Sequence, residues 1–248
     1  MTVKDLFRRL FRKLLKIFLW AFLFSNIYLV LGKWIMPPIT TTQIGSLFGG
    51  YGLKRDYISA EEIAPSAKLA AMASEDQLFP DHGGFDWKSL EKSIQKKPGK
   101  GKKVRGAGAS TISQQVAKNV FLWQGSGIGR YVRKLPELYY TKMIELIWGK
   151  ERILEVYLNV AEMGPGIFGI EAAAQKYFKK PAKTLSRQEA AMIISCLPSP
   201  KRYTVVPMSG WVRWRYSRVM QQMRFIETDP DVQMLAYGLK PVTKKKIN

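Results

Sequence analysis

Residues 75–86 read Glu75-Asp76-Gln77-Leu78-Phe79-Pro80-Asp81-His82-Gly83-Gly84-Phe85-Asp86 and directly follow an alanine-rich segment, residues 67–73. The alanine-rich segment predicts a buried helix that begins near Pro65 and ends near Ser74. A carboxylate at the end of a packed helix is held rigidly and can still face a cleft, so Glu75 is a candidate acid or base. A plain helix end with solvated acids and a turn would give the same pattern, and these residues alone leave both interpretations open.

Helical patterns predominate after residue 110 and few alternating runs suggest strands, so the domain is predicted to be mainly α. Ser186 and Glu189 form a capping box before the apolar run 190–197, which we expect to be the buried centre of the domain. Cys196 lies in this run and is expected to pack there, since a lone cysteine allows no internal disulfide. The single histidine excludes a zinc site built on several histidines.

The helix expected after residue 110 carries polar residues on one face. Ser110 is predicted to cap it, and Thr111, Gln115 and Lys118 then form a polar stripe that ends in a cation. An amphipathic surface helix would have a similar stripe, so a binding face and a solvated face both fit the pattern.

Three cations, Arg130, Arg133 and Lys134, precede the carboxylate of Glu137. They fit either a surface ion-pair network or a clamp for a diphosphate that Glu137 orients. Because proline breaks a continuing helix, we expect a helix to begin near Pro136, with the cations just before it.

The N-terminal 36 residues have the composition of a membrane anchor. Residues 1–16 are basic, and the apolar stretch 17–36 has the length of ~20 residues that a transmembrane helix needs. A cleaved signal peptide is less favoured because no small-x-small site follows the apolar core. The positive flank lies before the helix, so the N-terminus is expected in the cytoplasm and the remainder outside it.

The chain is strongly basic, with 40 Lys and Arg against 19 Asp and Glu and a formal net charge of +21. Most of this excess lies after residue 36, on the side where anionic lipid surfaces and lipid-linked phosphates are available. We therefore expect membrane phospholipid, and not nucleic acid, as a partner.

We divide the remaining chain into a linker (37–59), a helical domain (60–228) and a C-terminal tail (229–248) whose end, from residue 240, is expected to be disordered. Within the domain, the basic and glycine-rich segment 96–108 predicts a loop. It is either a solvated loop or a lid that contacts anionic headgroups. Residues 211–227 predict a basic helix.

Five ordered blocks make the chain resemble the monofunctional, membrane-anchored peptidoglycan glycosyltransferases of lysozyme-like fold. The resemblance covers roughly residues 60–205. The blocks are Glu75-Asp-x-x-Phe79-x-x-His82-x-Gly84, then Gly108 to Asn119, Arg133-Lys134-x-x-Glu137, Arg152 to Asn159, and Gly169 to Phe178.

The resemblance implies a two-lobed helical domain that polymerises lipid II into β-1,4-linked glycan, with inversion and release of undecaprenyl diphosphate. It implies that Glu75 is the general base and that Lys118, Arg133 and Lys134 stabilise the diphosphate. Glu137 would be the second catalytic carboxylate, which orients the cations or a metal and assists departure of the diphosphate. It leaves open whether Mg²⁺ or Mn²⁺ bridges the phosphates; no other cofactor is expected.

The same resemblance completes the candidate substrate-binding set. Thr111 and Gln115 match positions that contact sugar or phosphate, and Ser110 lies beside them. Matching family positions are also held by Asp76, Phe79 and His82, although we expect these three to shape and hold the loop.

The resemblance also implies a location and partners. The enzyme would sit in a bacterial cytoplasmic (inner) membrane with its catalytic domain on the periplasmic side. Its partners would be lipid II, the lipid-linked nascent glycan and, as further candidates, other cell-wall synthesis or division proteins.

Rival functions remain at this stage. A lysozyme-like hydrolase would also use a glutamate, and a non-catalytic membrane-anchored module could use the external charge to hold anionic polymers. A transpeptidase is not expected, because no Ser-x-x-Lys motif with a downstream Lys-Thr-Gly is present. Residues 121–123, Phe-Leu-Trp, fit either a segment that dips into the bilayer or ordinary core packing.

Overall fold

The computed structural model of the chain describes residues 3–87, 91, 110–123 and 128–239. The expectations for the basic segment 96–108, the side chain of Arg130 and the tail from residue 240 lie outside this part.

The described residues are mainly helical, which confirms the predicted class. The helices are α1 (Val3–Leu31), α2 (Thr41–Phe48), α3 (Pro65–Glu75), α4 (Ile112–Phe121), α5 (Ile128–Ile147), α6 (Lys150–Val160), α7 (Ile170–Phe178), α8 (Arg187–Ile194), α9 (Gly210–Ile226) and α10 (Pro230–Tyr237). A small sheet has the order β1 (Lys54–Arg55), β3 (Ile167–Phe168), β2 (Glu162–Gly164). Strand β1 is parallel to β3, and β2 is antiparallel to it.

Helix α1 forms a compact unit of its own with the residues up to Pro37. Its segment Lys4–Leu31 is long and apolar enough to cross a membrane. The helix begins in the basic segment and ends at Leu31, so it does not coincide with the stretch 17–36, which stays the predicted transmembrane part. Lysine and arginine are good helix formers, so the basic segment does not interrupt the helix. At 1.5 Å per residue the helix is ~43 Å long, more than the ~30 Å hydrocarbon core.

The second unit, residues 38–248, is built around α3. Helix α3 begins at Pro65 as predicted and packs against α8, α9 and α10. Small side chains on the facing helices, Ala70 on α3 and Ala190 on α8, are fully buried and let the backbones approach closely. The expectation that the apolar run after Ser186 is buried is confirmed, although the helix ends at Ile194.

Two boundaries differ from the prediction. The expected linker contains α2, which a Thr40–Gln43 capping box starts and which packs against α4. The expected tail contains α10, whose Val232 and Leu235 are buried and which packs against α3. Both helices have only eight residues, so too few apolar residues repeat at helical spacing for the sequence pattern to predict them.

Helices α4, α5 and α6 form a second packed group, which meets the first where α6 contacts α3. The ring of Phe121 at the end of α4 stacks on Tyr140 of α5, with ring centroids 4.7 Å apart. Leu122 is buried and Trp123 is exposed. Ordinary core packing therefore describes Phe121 and Leu122 better than insertion into a bilayer.

The expected start of α5 at Pro136 was wrong, because α5 begins at Ile128 and continues through the proline. A proline inside a helix removes the hydrogen bond to the carbonyl four residues earlier, here that of Val132. Val132 is exposed, so water can take the place of the lost donor. Arg133 and Glu137 therefore lie on one helix face, one turn apart.

Candidate active site

Glu75 is the last residue of α3, and its carboxylate is held by two other helices. Its Oε1 accepts hydrogen bonds from Nη2 of Arg215 on α9 at 2.8 Å and from Oγ of Ser74 at 2.9 Å. Its Oε2 accepts a longer bond of 3.2 Å from Nε2 of Gln115 on α4. The side chain is 13% exposed and lines a cavity. Among the described residues, Oε1 thus accepts from two donors and Oε2 from one.

The loop after Glu75 is tied to the start of α4. Asp76 accepts a hydrogen bond from the backbone N–H of Ile112 at 2.9 Å and pairs with Nε2 of His82 at 2.9 Å. The N–H of Gly84 donates to Nδ1 of His82, so the ring hydrogen lies on Nε2 and is donated to Asp76. Asp76 and His82 therefore hold the loop, which fixes Glu75 relative to α4.

Phe79 and Gly84 complete this loop. Phe79 is fully buried, and Nζ of Lys150 lies 4.4 Å from the centre of its ring. Gly84 has φ of +97°, and an added Cβ would lie 2.8 Å from Cγ2 of Thr141. Only glycine suits this position, because other residues rarely adopt such a φ and no space is left for a side chain.

The cap of α4 is Thr111, and not Ser110 as predicted. The Thr111 hydroxyl accepts from the N–H of Gln114 and donates to the carbonyl of Gly84 at 2.7 Å. Thr111 is buried and its hydroxyl is hydrogen-bonded to the loop and to α4, so it stabilises the structure around the site. Ser110 is exposed and lines two cavities, one with Glu75 and one with Glu137.

Gln115 and Lys118 lie one turn apart on the cleft side of α4 and line three neighbouring cavities. Burial lowers the pKa of Lys118, and the nearby cation of Arg133 lowers it further, whereas Glu137 raises it. Within the described residues, Lys118 forms no ion pair within 4 Å. A half-buried ammonium without an ion-pair partner is a favourable place for an anionic ligand.

The predicted cation cluster is a buried ion-pair network on α5. Oε2 of Glu137 lies 3.3 Å from Nε of Arg133, and Oε1 lies 2.6 Å from Nζ of Lys134. Arg133 also donates to the carbonyl of Trp123 at 3.0 Å. Glu137 and Arg133 are 2% and 6% exposed, whereas half of the Lys134 side chain is open to solvent. The network faces the cavity that Gln115 and Lys118 also line.

Residues of helix α9, and Tyr203 before it, line the cleft on the Glu75 side. The sequence alone did not indicate that they would lie there. Tyr203 stacks on Trp211, Trp211 packs against Trp214, and the Arg218 guanidinium lies 4.1 Å from the Trp214 ring centre. These side chains line the same cavity as Glu75 and Arg215. The basic character of this helix was predicted, but no local signal indicated that Arg215 would contact Glu75.

The donor groups do not form a protein cage for a metal ion. In the part of the chain that the structure describes, no cluster of three His, Cys, Asp or Glu side chains is placed to hold one. Both oxygens of Glu137 already contact cations. A divalent ion at a bound diphosphate would have to take its ligands chiefly from phosphate and water.

Comparisons with known proteins identify the family of the chain. A sequence model of the Transglycosylase family matches residues 41–224. Proteins named biosynthetic peptidoglycan transglycosylase from Escherichia coli K12 and from E. coli O139:H28 (strain E24377A / ETEC) are each 48% identical over 183 residues. The match covers 74% of this chain and 74% of each of theirs. The chain therefore belongs to the transglycosylase family.

Proposed function

We propose that the protein is a glycosyltransferase that polymerises lipid II into β-1,4-linked glycan strands and releases undecaprenyl diphosphate. The observation that carries the proposal is that Glu75 lines one cavity of the cleft and the cations Arg133 and Lys134 line the next. Gln115 and Lys118 line both cavities and so connect them.

Glu75 is the base in this reaction. The acceptor is the 4-hydroxyl of lipid II, which is a poor nucleophile until its proton is removed in the transition state. Glu75 is fixed at the end of a buried helix and by donors from α4 and α9, so it can meet the hydroxyl without reorganising.

The cations of α4 and α5 stabilise the leaving group. As the bond between the anomeric carbon and the phosphate oxygen breaks, negative charge grows on the diphosphate. Lys118 and Arg133 are positioned by packing, and Lys134 is free to move at the open end. Glu137 keeps the two α5 cations in place, and no step requires it to donate a proton.

A hydrolase is the weaker alternative. Cleavage of an ordinary glycosidic bond needs a protonated acid at the leaving sugar. The second carboxylate of the cleft, Glu137, instead accepts from two cations on its two oxygens. This arrangement suits a leaving group that is already anionic.

The membrane keeps enzyme and substrate together. We place α1 in the bacterial cytoplasmic membrane with the N-terminus in the cytoplasm, because the basic residues precede the apolar run. Helix α5 presents a second apolar surface: an exposed stripe on the side opposite Tyr140, made of Tyr131, Leu135, Leu138 and Leu146. Arg133 and Lys134 lie on the same helix, so a diphosphate bound there could keep its polyprenyl tail in lipid.

Turnover of lipid II by the full-length protein in detergent tests the proposal. We expect glycan polymer and undecaprenyl diphosphate from the parent and neither from a Glu75→Gln variant. Polymerisation by the Glu75→Gln variant at the parent's rate would contradict the proposal. Clipping of finished glycan without polymerisation would support the hydrolase instead.

The same assay tests the metal. Polymerisation that persists in excess chelator is expected if Lys118, Arg133 and Lys134 supply the positive charge. Loss of activity on chelation, with recovery on addition of Mg²⁺ or Mn²⁺, would show that the reaction needs a divalent metal in addition to these cations. An interaction with other cell-wall synthesis or division proteins stays a prediction.

A further inference from the structure

The two oxygens of Glu75 differ in their surroundings. Oε1 accepts from the Arg215 guanidinium and from the Ser74 hydroxyl, at 2.8 and 2.9 Å. Oε2 accepts only the weaker bond from the Gln115 amide, at 3.2 Å. A neutral amide competes with an incoming hydroxyl less strongly than a cation does.

Resting on the proposed function, we infer that Arg215 is a positioning residue for Glu75, which binds Oε1 of the carboxylate and reserves Oε2 as the atom that takes the proton. Arg215 touches neither the acceptor hydroxyl nor the diphosphate in this assignment. It acts only through the carboxylate that it holds.

The Arg215 guanidinium is itself fixed. Its Nη2 also donates to Oγ and to the backbone carbonyl of Ser74, at 2.9 and 3.3 Å. Its Nε is buried and has no hydrogen-bond partner among the residues that the structure describes. Because Glu75 is its one ion-pair partner among the described residues, the charge of Arg215 is directed at that carboxylate.

The chemical step then has a defined direction. Oε2 of Glu75 takes the proton of the acceptor 4-hydroxyl. At the same time, the hydroxyl oxygen forms its bond to the anomeric carbon of the donor. The bond from this carbon to the phosphate oxygen breaks, and its electron pair leaves with the diphosphate. Oε1 stays bound to Arg215 throughout, so the carboxylate cannot rotate to present its other oxygen.

Other titratable and charged groups also face Glu75, but none of the cations among them contacts its carboxylate in the described part of the chain. Lys118 on α4 and Tyr157 on α6 interact with its charge, as does Cys196 after α8. Asp76 follows it in the chain, and Arg218 of α9 lines the same cavity. Arg215 is the only cation among the described residues in direct contact with the carboxylate.

The test compares the pH profiles of kcat/KM for the parent and Arg215→Gln. We expect the acid limb of the variant to move up by about one pH unit or more, since a nearby opposite charge typically shifts a carboxylate by ~1–3 units. The rate should approach that of the parent above the displaced limb. A rate lowered equally at every pH, with the limb unmoved, would mean that Arg215 is merely structural.

Two further variants make the comparison specific. Arg218→Gln removes the same charge from the same helix and cavity without a bond to Glu75, so its acid limb should stay in place. Arg215→Lys keeps the positive charge, but an ammonium cannot contact both Ser74 and Glu75 as the planar guanidinium does. The acid limb of the Arg215→Lys profile should keep the parent's position, and the kcat of this variant should fall several-fold. An unchanged kcat, or a limb displaced as far as in Arg215→Gln, would contradict the inference, and this holds even if Arg215→Gln fails to fold.

A measurement without turnover separates this inference from the proposed function. The carboxyl signal of Glu75 can be followed by ¹³C NMR in glutamate-labelled protein and assigned by its loss in Glu75→Gln. Its titration midpoint should rise in Arg215→Gln relative to the parent. A parent that makes no polymer would overturn the proposed function, whereas an unmoved midpoint would overturn the role of Arg215.

Discussion

Replacing Glu137 with glutamine should destabilise the protein strongly. Glu137 and Arg133 are almost fully buried, so the substitution leaves the guanidinium inside the fold without a counter-ion. Removing one partner of a buried ion pair typically costs ~3–5 kcal/mol. The remaining hydrogen bond from Arg133 to the carbonyl of Trp123 does not neutralise the charge.

The loss is measurable as a fall in Tm of the full-length protein in detergent. For a domain of this size, each kcal/mol corresponds to about 2–4 °C, so the fall should be roughly 10 °C. Lys134→Met is the matched control, because Lys134 is bonded to the same carboxylate but is half-exposed. Its loss should cost no more than ~1 kcal/mol.

The double variant Arg133→Met/Glu137→Met extends the test. Replacing both partners of a buried ion pair with apolar residues is often close to neutral, so most of the lost stability should return. Polymerisation should not return, because the cation is gone. Equal Tm values for Glu137→Gln and the parent, or an equally large fall in Lys134→Met, would refute the reasoning.

Three further outcomes are expected. The alkaline limb of the kcat/KM profile should lie below the ~10.4 of an ordinary lysine, because burial lowers the pKa of Lys118 in the free enzyme and only its ammonium form neutralises the leaving group. Lys118→Arg stays charged and should remove this limb; an unchanged limb would assign it to another group. Gly84→Ala should lower stability by ~1–3 kcal/mol in thermal melts, whereas Gly83→Ala, which has room for a methyl group, should change it little; equal Tm values would contradict this. Leu135→Ser should weaken liposome binding by a variant that starts at residue 38, whereas Phe225→Ser, exposed on α9, should not; equal effects of the two changes would count against lipid contact by α5.

The features predicted well from the sequence depend on neighbouring residues. Pro65 starts α3, the Ser186–Glu189 box starts α8, and two members of the polar stripe of α4, Gln115 and Lys118, face the cleft. Each follows from a cap or a helical period that spans a few residues. The start of α4 was misplaced by one residue, since Ser110 and Thr111 are equally good caps in isolation. The hydrogen bond from Thr111 to Gly84 distinguishes them, and it joins residues 27 positions apart.

The features that were missed depend on packing between distant segments. Arg215 and Glu75 are 140 residues apart, and nothing near Arg215 distinguishes it from the other arginines of α9. Pro136 misled the prediction because a rule about isolated helices was applied to one whose neighbours hold it in place. Helix α10 was missed because its stability comes from burial against α3.

The position of Gln115 and Lys118 on a single helix has a consequence for how this enzyme can change. Three residues along α4 correspond to ~4.5 Å of rise, so the helix itself sets the interval between Gln115, which donates to the proton acceptor Glu75, and the anion site at Lys118. Inserting one residue between them would turn Lys118 by ~100° away from the cleft. Loops around the cleft can therefore vary in length without affecting this interval, whereas α4 cannot gain or lose a residue there without separating the two halves of the reaction.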